Sequence, residues 1–590
     1  MRSPRAVPDS ALSLGLLLGL ASLLVYVTTG YGASMLALWV ASLVVLVVYF
    51  WSRSAPAPRF PRREVIVPPA LMLLFAPLYL AAVHRWPVQV SSDEVAIMDV
   101  AQQYANQPNV DPFGLSTYLA RPALLFLAWG DLGELIGGID LLHMRLLHGA
   151  FGLLTIGASY LLFRQLLPRG WAVFAACVLG LSHAFFMISR LAMRENTAVL
   201  LEVLAFALLL WGLRNDHMLS TFLGGFVAGL CFYVYFPARA TFPVWVLFLV
   251  VLGIIFRSEF PVRRIVRAGL IAVAGFALMA TPVIYAESQA PYIPGSLPQK
   301  ETLLIYPEAR ELQKQWVFES TVAGGIWKNI SWGLTAFNNK IRDHGFIYLN
   351  EGHGFVDPLT GIFLWVGVLA VGIRLYRRRG DPGELFALYM FVVLWLSFAF
   401  LINKAPNYTR LLITLPFVAY FVAVATRFLA GRAQLIAADW RPQWAAQARM
   451  GFVALTIAAL AALNLAIAWD FVQEGRKNGE AIGSTGRYIE THRDVPGKKF
   501  YLAAGDASYK YYSFGNSYSD RLRLFAHEGQ VGQHIPPEGL NGFRAAPPFA
   551  IFMTRTLWTV AQQDLMASYP NGQLRDILPD GSRVVFEVPA

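Results

Sequence analysis

The sequence has only two cysteines, Cys177 and Cys231, among 590 residues. Both fall inside apolar runs, so neither a disulfide framework nor a thiol or zinc site is expected. Charge is also scarce: Asp, Glu, Lys and Arg make up 14% of the chain, against 56% hydrophobic residues and a mean hydropathy of +0.49. That balance excludes an ordinary soluble enzyme and predicts a polytopic membrane protein. The net charge of +11 does not imply nucleic-acid binding, because the arginines cluster in alternate loops beside apolar runs, as membrane topology demands.

Apolar runs lie near 11–28, 33–51, 67–86, 143–163, 171–188, 196–213, 220–237, 240–256, 268–286, 358–374, 385–402, 409–425 and 450–470. About thirteen helices follow, each close to the roughly 20 residues that a bilayer core requires. The first run resembles a secretory signal peptide, but a second follows almost at once, so both are read as retained helices. Arg53, Arg59, Arg62 and Arg63 begin a set of arginine-rich loops that continues at Arg164/Arg169, Arg214, Arg257–Arg267, Arg374–Arg379 and Arg427–Arg449. The positive-inside rule places that set and the N-terminus in the cytoplasm, and the C-terminal tail outside. Every lysine falls in the opposite, outer set of segments.

Three segments carry the expected non-membrane mass. The outer loop 87–142 holds Val90-Ser-Ser-Asp-Glu-Val, then the turn-rich Asn109–Gly114, then Tyr118–Trp129, which is read as an interfacial helix. The outer loop 287–356 holds a helical stretch at Glu308–Glu319 and the polar stretch Asn338–His344. Its aromatic content (Trp316, Phe318, Trp327, Trp332, Phe337) predicts an ordered cover on the membrane. Beyond residue 471 the composition is that of a small α/β domain. It shows helices at Glu480–Thr491 and Leu557–Ser568, strands at Lys499–Ala503 and Phe549–Met553, and a closing hairpin at Gln573–Leu578 with Arg583–Val588. It contains no phosphate loop, nucleophile elbow or metal spacing, which leaves it a supporting or acceptor-recognition role.

Asp93 and Glu94 follow the third apolar run. Val95, Met98 and Ala101 recur at helical spacing, so a short surface helix is expected, capped by Ser91 or Ser92 with the two acids in its first turn. The bland reading is a capped helix; the sharper one is a general base at the membrane–water boundary. Other ionisable groups at outer helix ends are Arg145, Arg190 and Glu195, Arg239, Lys404 and Arg410. Singly each fits an interface anchor, whereas together they put carboxylates and cations on one membrane face, as a lipid phosphate site requires.

The order of three motifs resembles the integral-membrane glycosyltransferases of the C-type fold. The similarity is to dolichyl-phosphate-mannose protein mannosyltransferases and lipid A aminoarabinose transferases, over roughly residues 67–425. The motifs are Asp93-Glu94 in the first large outer loop, Arg190 with Glu195 in the next, and Ala405-Pro-Asn-Tyr-Thr-Arg410 before a helix containing Pro416. The resemblance implies transfer of a sugar, with inversion, from a polyprenyl-phosphate donor to a glycan, lipid or protein acceptor outside the cytoplasm. It implies Asp93 as the base and Lys404 and Arg410 as phosphate ligands; Arg239 joins them by position, and Glu94, Arg190 and Glu195 are expected to bind acceptor or organise the site. The chain departs from the mannosyltransferases in having Glu195 where they have Asp, two extra helices before the core, and no large insertion domain. No Asp-x-Asp pair occurs in the early outer loops, so a divalent metal is possible but not indicated, and the sequence establishes no cofactor.

The organisation expected is therefore two helices and a cytoplasmic loop at 1–66, a membrane core at 67–470 and an extracytoplasmic α/β domain at 471–590. Two rival functions remain at this level. A transporter or flippase of a lipid-linked glycan would want broken helices near the midplane and an internal repeat. An assembly protein recruiting partners through its tail would leave the outer acids and cations without a role.

Overall fold

The computed structural model describes residues 7–56, 61–87, 90–107, 109–116, 120–290, 298–317, 321–338, 353–403, 405–477, 481–503 and 522–590. Apolar runs become helices because a helix satisfies its own backbone polar groups where no water can. The chain opens with α1 (Ser10–Thr29), α2 (Ala33–Arg53) and α3 (Arg62–Leu80), then α4 (Ser92–Ala105) and α5 (Ala123–Ile136) in the first large loop. Helices α6 (Leu141–Leu166), α7 (Arg169–Leu181), α8 (His183–Ser189), α9 (Arg194–Asn215), α10 (Met218–Leu230), α11 (Thr241–Ile255) and α12 (Val262–Gln289) follow. The second large loop contains α13 (Pro298–Thr302), α14 (Pro307–Val317) and α15 (Val322–Thr335). The bundle closes with α16 (Pro358–Tyr376), α17 (Pro382–Phe400), α18 (Tyr408–Leu411), α19 (Leu415–Trp440) and α20 (Ala445–Lys477).

All thirteen apolar runs are helical, though not in one way. Among the described residues ten helices are long and apolar enough to cross a membrane, α7 and α8 form a pair bent by 61°, and two, Glu64–Leu80 and Met218–Tyr233, are shorter. The run at 171–188 breaks at Ser182, where the side chain of Asn464 accepts the freed N–H of His183 at 2.8 Å. The run at 67–86 is helical only to Leu80, and its last residues form a turn whose carbonyls face arginines. Helices α10 and α12 cross at glycines: a Cβ on Gly225 would lie 2.0 Å from the Ala272 carbonyl, and one on Gly275 2.1 Å from that of Phe222. In the first loop the interfacial helix expected at Tyr118–Trp129 is α5, which starts later and runs longer. In the second, residues 339–352, with most of the Asn338–His344 stretch, lie outside the described residues.

The arginine-rich loops meet at one end of the bundle. Arg164 pairs with Glu64 at 3.0 Å, Arg374 with Glu384, Arg267 with Asp216, and Arg264 donates to the Leu213 and Arg214 carbonyls. Asp93 and Glu195 lie at the other end. On α9, Glu195 and Arg214 are separated by about 28 Å at helical rise, close to a hydrocarbon thickness.

After α20, helix α21 (Ala481–His492) leads into a sheet of β1 (Lys499–Leu502), β2 (Phe549–Thr554), β3 (Gln573–Asp576) and β4 (Arg583–Val588), in the order β1-β2-β4-β3. β1 and β2 are parallel, while β2–β4 and β3–β4 are antiparallel. Alternation sends Phe549 and Ile551 of β2, with Phe586 of β4, against the helix Arg555–Ser568 through Trp558 and Leu565. Ala550 and Phe552 face the other way, joining Phe500, Leu502 and Ile489 in the same buried cluster as α4 and the bundle. The sheet is thus covered on both faces, and its inner cover is continuous with the core of the helices.

Candidate functional site

Ser91 caps α4: its hydroxyl accepts the Asp93 N–H at 3.1 Å, and Glu94 reaches back to accept the Ser91 N–H at 3.0 Å. This is the capping box that a Ser followed three residues later by Glu favours. Glu94 does more than cap. Its two oxygens also accept Nε and Nη2 of Arg145, each at 2.9 Å, and the Ala192 N–H at 2.8 Å. Four donors occupy the carboxylate, and neither it nor the Arg145 side chain is exposed. Burial pushes the Glu94 carboxyl up, but the Arg145 guanidinium and the backbone N–H groups of Ser91 and Ala192 outweigh it and leave it below its ordinary range. Glu94 therefore welds α4 to α6 and to the turn after α8.

The turn before α4 is held by arginines. Arg145 Nη1 donates to the carbonyls of Pro87 at 2.8 Å and Val83 at 3.2 Å. Arg190 donates to Trp86 at 3.0 and 2.8 Å, to Ala81 at 2.7 Å and to Leu78, with its guanidinium 4.5 Å above the Trp86 ring. Arg190 is fully buried, with its donors spent on the carbonyls of the turn before α4.

Asp93, one residue before Glu94, is half-buried at the rim of this assembly. Glu195, in the first turn of α9, is 2% exposed and lies within electrostatic reach of Asp93, Arg194 and Arg121. Its Oε2 is buried with no hydrogen-bond partner among the described residues. Arg194 sits 5.3 Å over the ring of Tyr235, whose hydroxyl meets Thr409 Oγ1 at 2.9 Å. Burial pushes the Tyr235 hydroxyl up, and Arg410 is the cation that opposes this most. Asn407 caps α18 by accepting the Arg410 N–H at 3.1 Å and the Thr409 hydroxyl at 2.9 Å, and Arg410 Nη1 donates to Asn403 at 3.3 Å. The chain of neighbours Asp93–Glu195–Tyr235–Arg410 thus joins α4, α9, the turn after α10 and α18 into one site at the end of the bundle.

Two expected phosphate ligands fare differently from Arg410. Arg239 forms a bidentate pair with Glu287 at 2.8 and 2.6 Å and donates to the Phe232 carbonyl at 2.9 Å, so its charge is already answered. Lys404 lies outside the described residues. Arg121, Arg194, Tyr235 and Thr409 join the site without having been singled out from the sequence. Arg194, Tyr235 and Thr409 lay beside residues noted at helix ends and Arg121 in the expected interfacial helix, but only the packing tells which of them come together. Among the described residues no group of three or more His, Cys, Asp or Glu could hold a metal ion.

No family model and no curated protein matches the chain. Among solved structures it is similar to ArnT from Cupriavidus metallidurans bound to undecaprenyl phosphate, at 15% identity and a TM-score of 0.49, over 89% of this chain and 98% of that one. It is similar also to the oligosaccharyltransferase AglB from Archaeoglobus fulgidus in complex with an inhibitory peptide and a dolichol-phosphate. There the identity is 13% and the TM-score 0.49, over 80% of this chain and 65% of that one. The arabinosyltransferase EmbB from Mycobacterium smegmatis matches at 12% identity and a TM-score of 0.40, over 75% of this chain and 44% of that one.

Proposed function

We propose that the chain is a membrane glycosyltransferase that moves a sugar from a polyprenyl-phosphate carrier to an extracytoplasmic acceptor. The observation that carries this is a chain of charged and polar groups at one end of an apolar bundle: the half-buried Asp93, with Arg194 and Arg121, lies within electrostatic reach of the buried Glu195, and Arg194 and Arg410 lie within reach of Tyr235. A lipid carrier keeps its phosphate at the membrane surface, where charge-assisted contacts to guanidiniums offset its desolvation. Arg410, and Lys404 six residues before it in the sequence, hold the donor phosphate in this reading, with Arg194 adding to the field.

In the reaction the acceptor hydroxyl oxygen attacks the anomeric carbon from the face opposite the phosphate. The carbon–oxygen bond to phosphate breaks, and its electron pair leaves as polyprenyl phosphate, stabilised by the cations. The acceptor proton passes to Asp93 as the new bond forms, so the sugar is transferred with inversion. Glu195 orients the acceptor or Arg194, while Glu94 and Arg190 act only by holding α4. Residues 1–66, 67–470 and 471–590 are the N-terminal hairpin, catalytic core and extracytoplasmic domain, with the N-terminus in the cytoplasm and the site facing away from it.

The test is transfer itself. Purified protein is incubated with radiolabelled polyprenyl-phosphate sugars and a membrane extract, and the labelled product is identified. Label passing to a glycan, lipid or protein supports the proposal; no transfer from any such donor by folded protein contradicts it.

A further inference from the structure

The C-terminal domain reaches the start of the Asp93 helix. Arg487, on α21, donates through Nη2 to the Pro87 carbonyl at 3.3 Å, the same oxygen that Arg145 contacts at 2.8 Å. Two guanidiniums can share this carbonyl because each has a carboxylate at hand: Glu94 for Arg145 at 2.9 Å, and Glu490 for Arg487 at 2.7 Å. One turn before Arg487, Gly483 packs on the Val90 carbonyl, and a Cβ there would lie 1.9 Å from that oxygen. No other residue allows α21 to come this close. The inner face of α21 shares a core with α4, since Ile489 and Phe525 are buried in one cluster with Val90, Val95 and Met98.

Ser91 caps α4, whose first residue, Ser92, immediately precedes Asp93, so Pro87 and Val90 lie just before the start of that helix. We infer that the C-terminal domain is a positioning element for Asp93, acting through Arg487 and Gly483 on the start of α4. The inference rests on the glycosyl-transfer reading for its catalytic consequence but not for the coupling itself. Arg487 is a positioning residue. It fixes the Pro87 turn together with Arg145 and Arg190, and it is the member of that trio that leaves if the domain lifts off.

The experiment uses the full chain in detergent or nanodiscs, with wild type, Arg487→Ala, Arg487→Lys and Gly483→Val. Amide hydrogen exchange is followed in peptides covering 90–105 and 408–425. Losing a hydrogen bond from a charged donor should speed exchange in 90–105 about tenfold in Arg487→Ala, with 408–425 unchanged and partial recovery in Arg487→Lys. Gly483→Val should give the same pattern by pushing α21 off Val90, which keeps the test available if Arg487→Ala fails to fold. In transfer assays kcat should fall about tenfold with donor KM within about twofold, because the phosphate cations lie on other elements. Wild-type exchange in 90–105 in folded Arg487→Ala and Gly483→Val overturns the inference. Faster exchange there, alongside a wild type that transfers no lipid-linked sugar, upholds the coupling and removes only the reaction assigned to the site.

Discussion

Glu94 and Arg145 are 51 positions apart and form a bidentate ion pair, 2.9 Å at both contacts, with neither side chain exposed. The pair joins α4, itself largely buried, to the start of α6, and it leaves two adjacent acids in different surroundings. Glu94 is fully buried beneath its four donors, while Asp93 beside it is half-buried.

Arg145→Ala should destabilise the protein by about 3–5 kcal/mol, because it strands a buried carboxylate. Glu94→Gln should cost less and should alter the acid response. The Glu94 carboxyl titrates below its ordinary 4.5 in the folded chain, so its ionised form contributes stability that is full above that value. That contribution is lost as pH falls through the lower folded value. Thermal unfolding should therefore show a gap between wild type and Glu94→Gln that is constant near neutrality and closes in acid. A gap independent of pH would mean that the pair is not ionised.

Arg410→Ala should raise the donor KM by about tenfold or more, the loss expected for a charged contact. Arg239→Ala should instead lower stability with donor KM little changed, since Glu287 already takes its charge. Donor kinetics that respond to Arg239 and not to Arg410 would move the phosphate site to the end of α12.

Reporter fusions after residue 590 and within 428–445 should fall on opposite sides of the membrane. The arginines that pair at one end of the bundle and the acids at the other motivate this. The same compartment for both would contradict the orientation.

Much of the fold was legible because long apolar runs have little choice but to become helices, and because turns separate the strands of the tail. A serine cap, at Ser91 or Ser92, was legible for the same local reason, and the structure uses Ser91. What the sequence could not reveal were the places where a run stops early or breaks. Residues 81–86 were read as the end of an apolar run, and the arginines that donate to their carbonyls account for the turn. Nor could spacing separate Arg410 from Arg239, two cations at helix ends that differ in having Glu287 beside one of them. The contact of Arg487 with Pro87 spans 400 positions, beyond any local signal.

The central claim is that Asp93 takes the acceptor proton, and Asp93→Asn tests it most directly. Asparagine keeps the size and the helix-start preference of aspartate but cannot accept the proton. Transfer from a lipid-linked sugar should fall by about 10²–10⁴-fold, the range of positioned base catalysis, while the unfolding temperature and donor KM stay near those of wild type. Transfer at the wild-type rate by folded Asp93→Asn would contradict the account and reduce Asp93 to part of a helix cap.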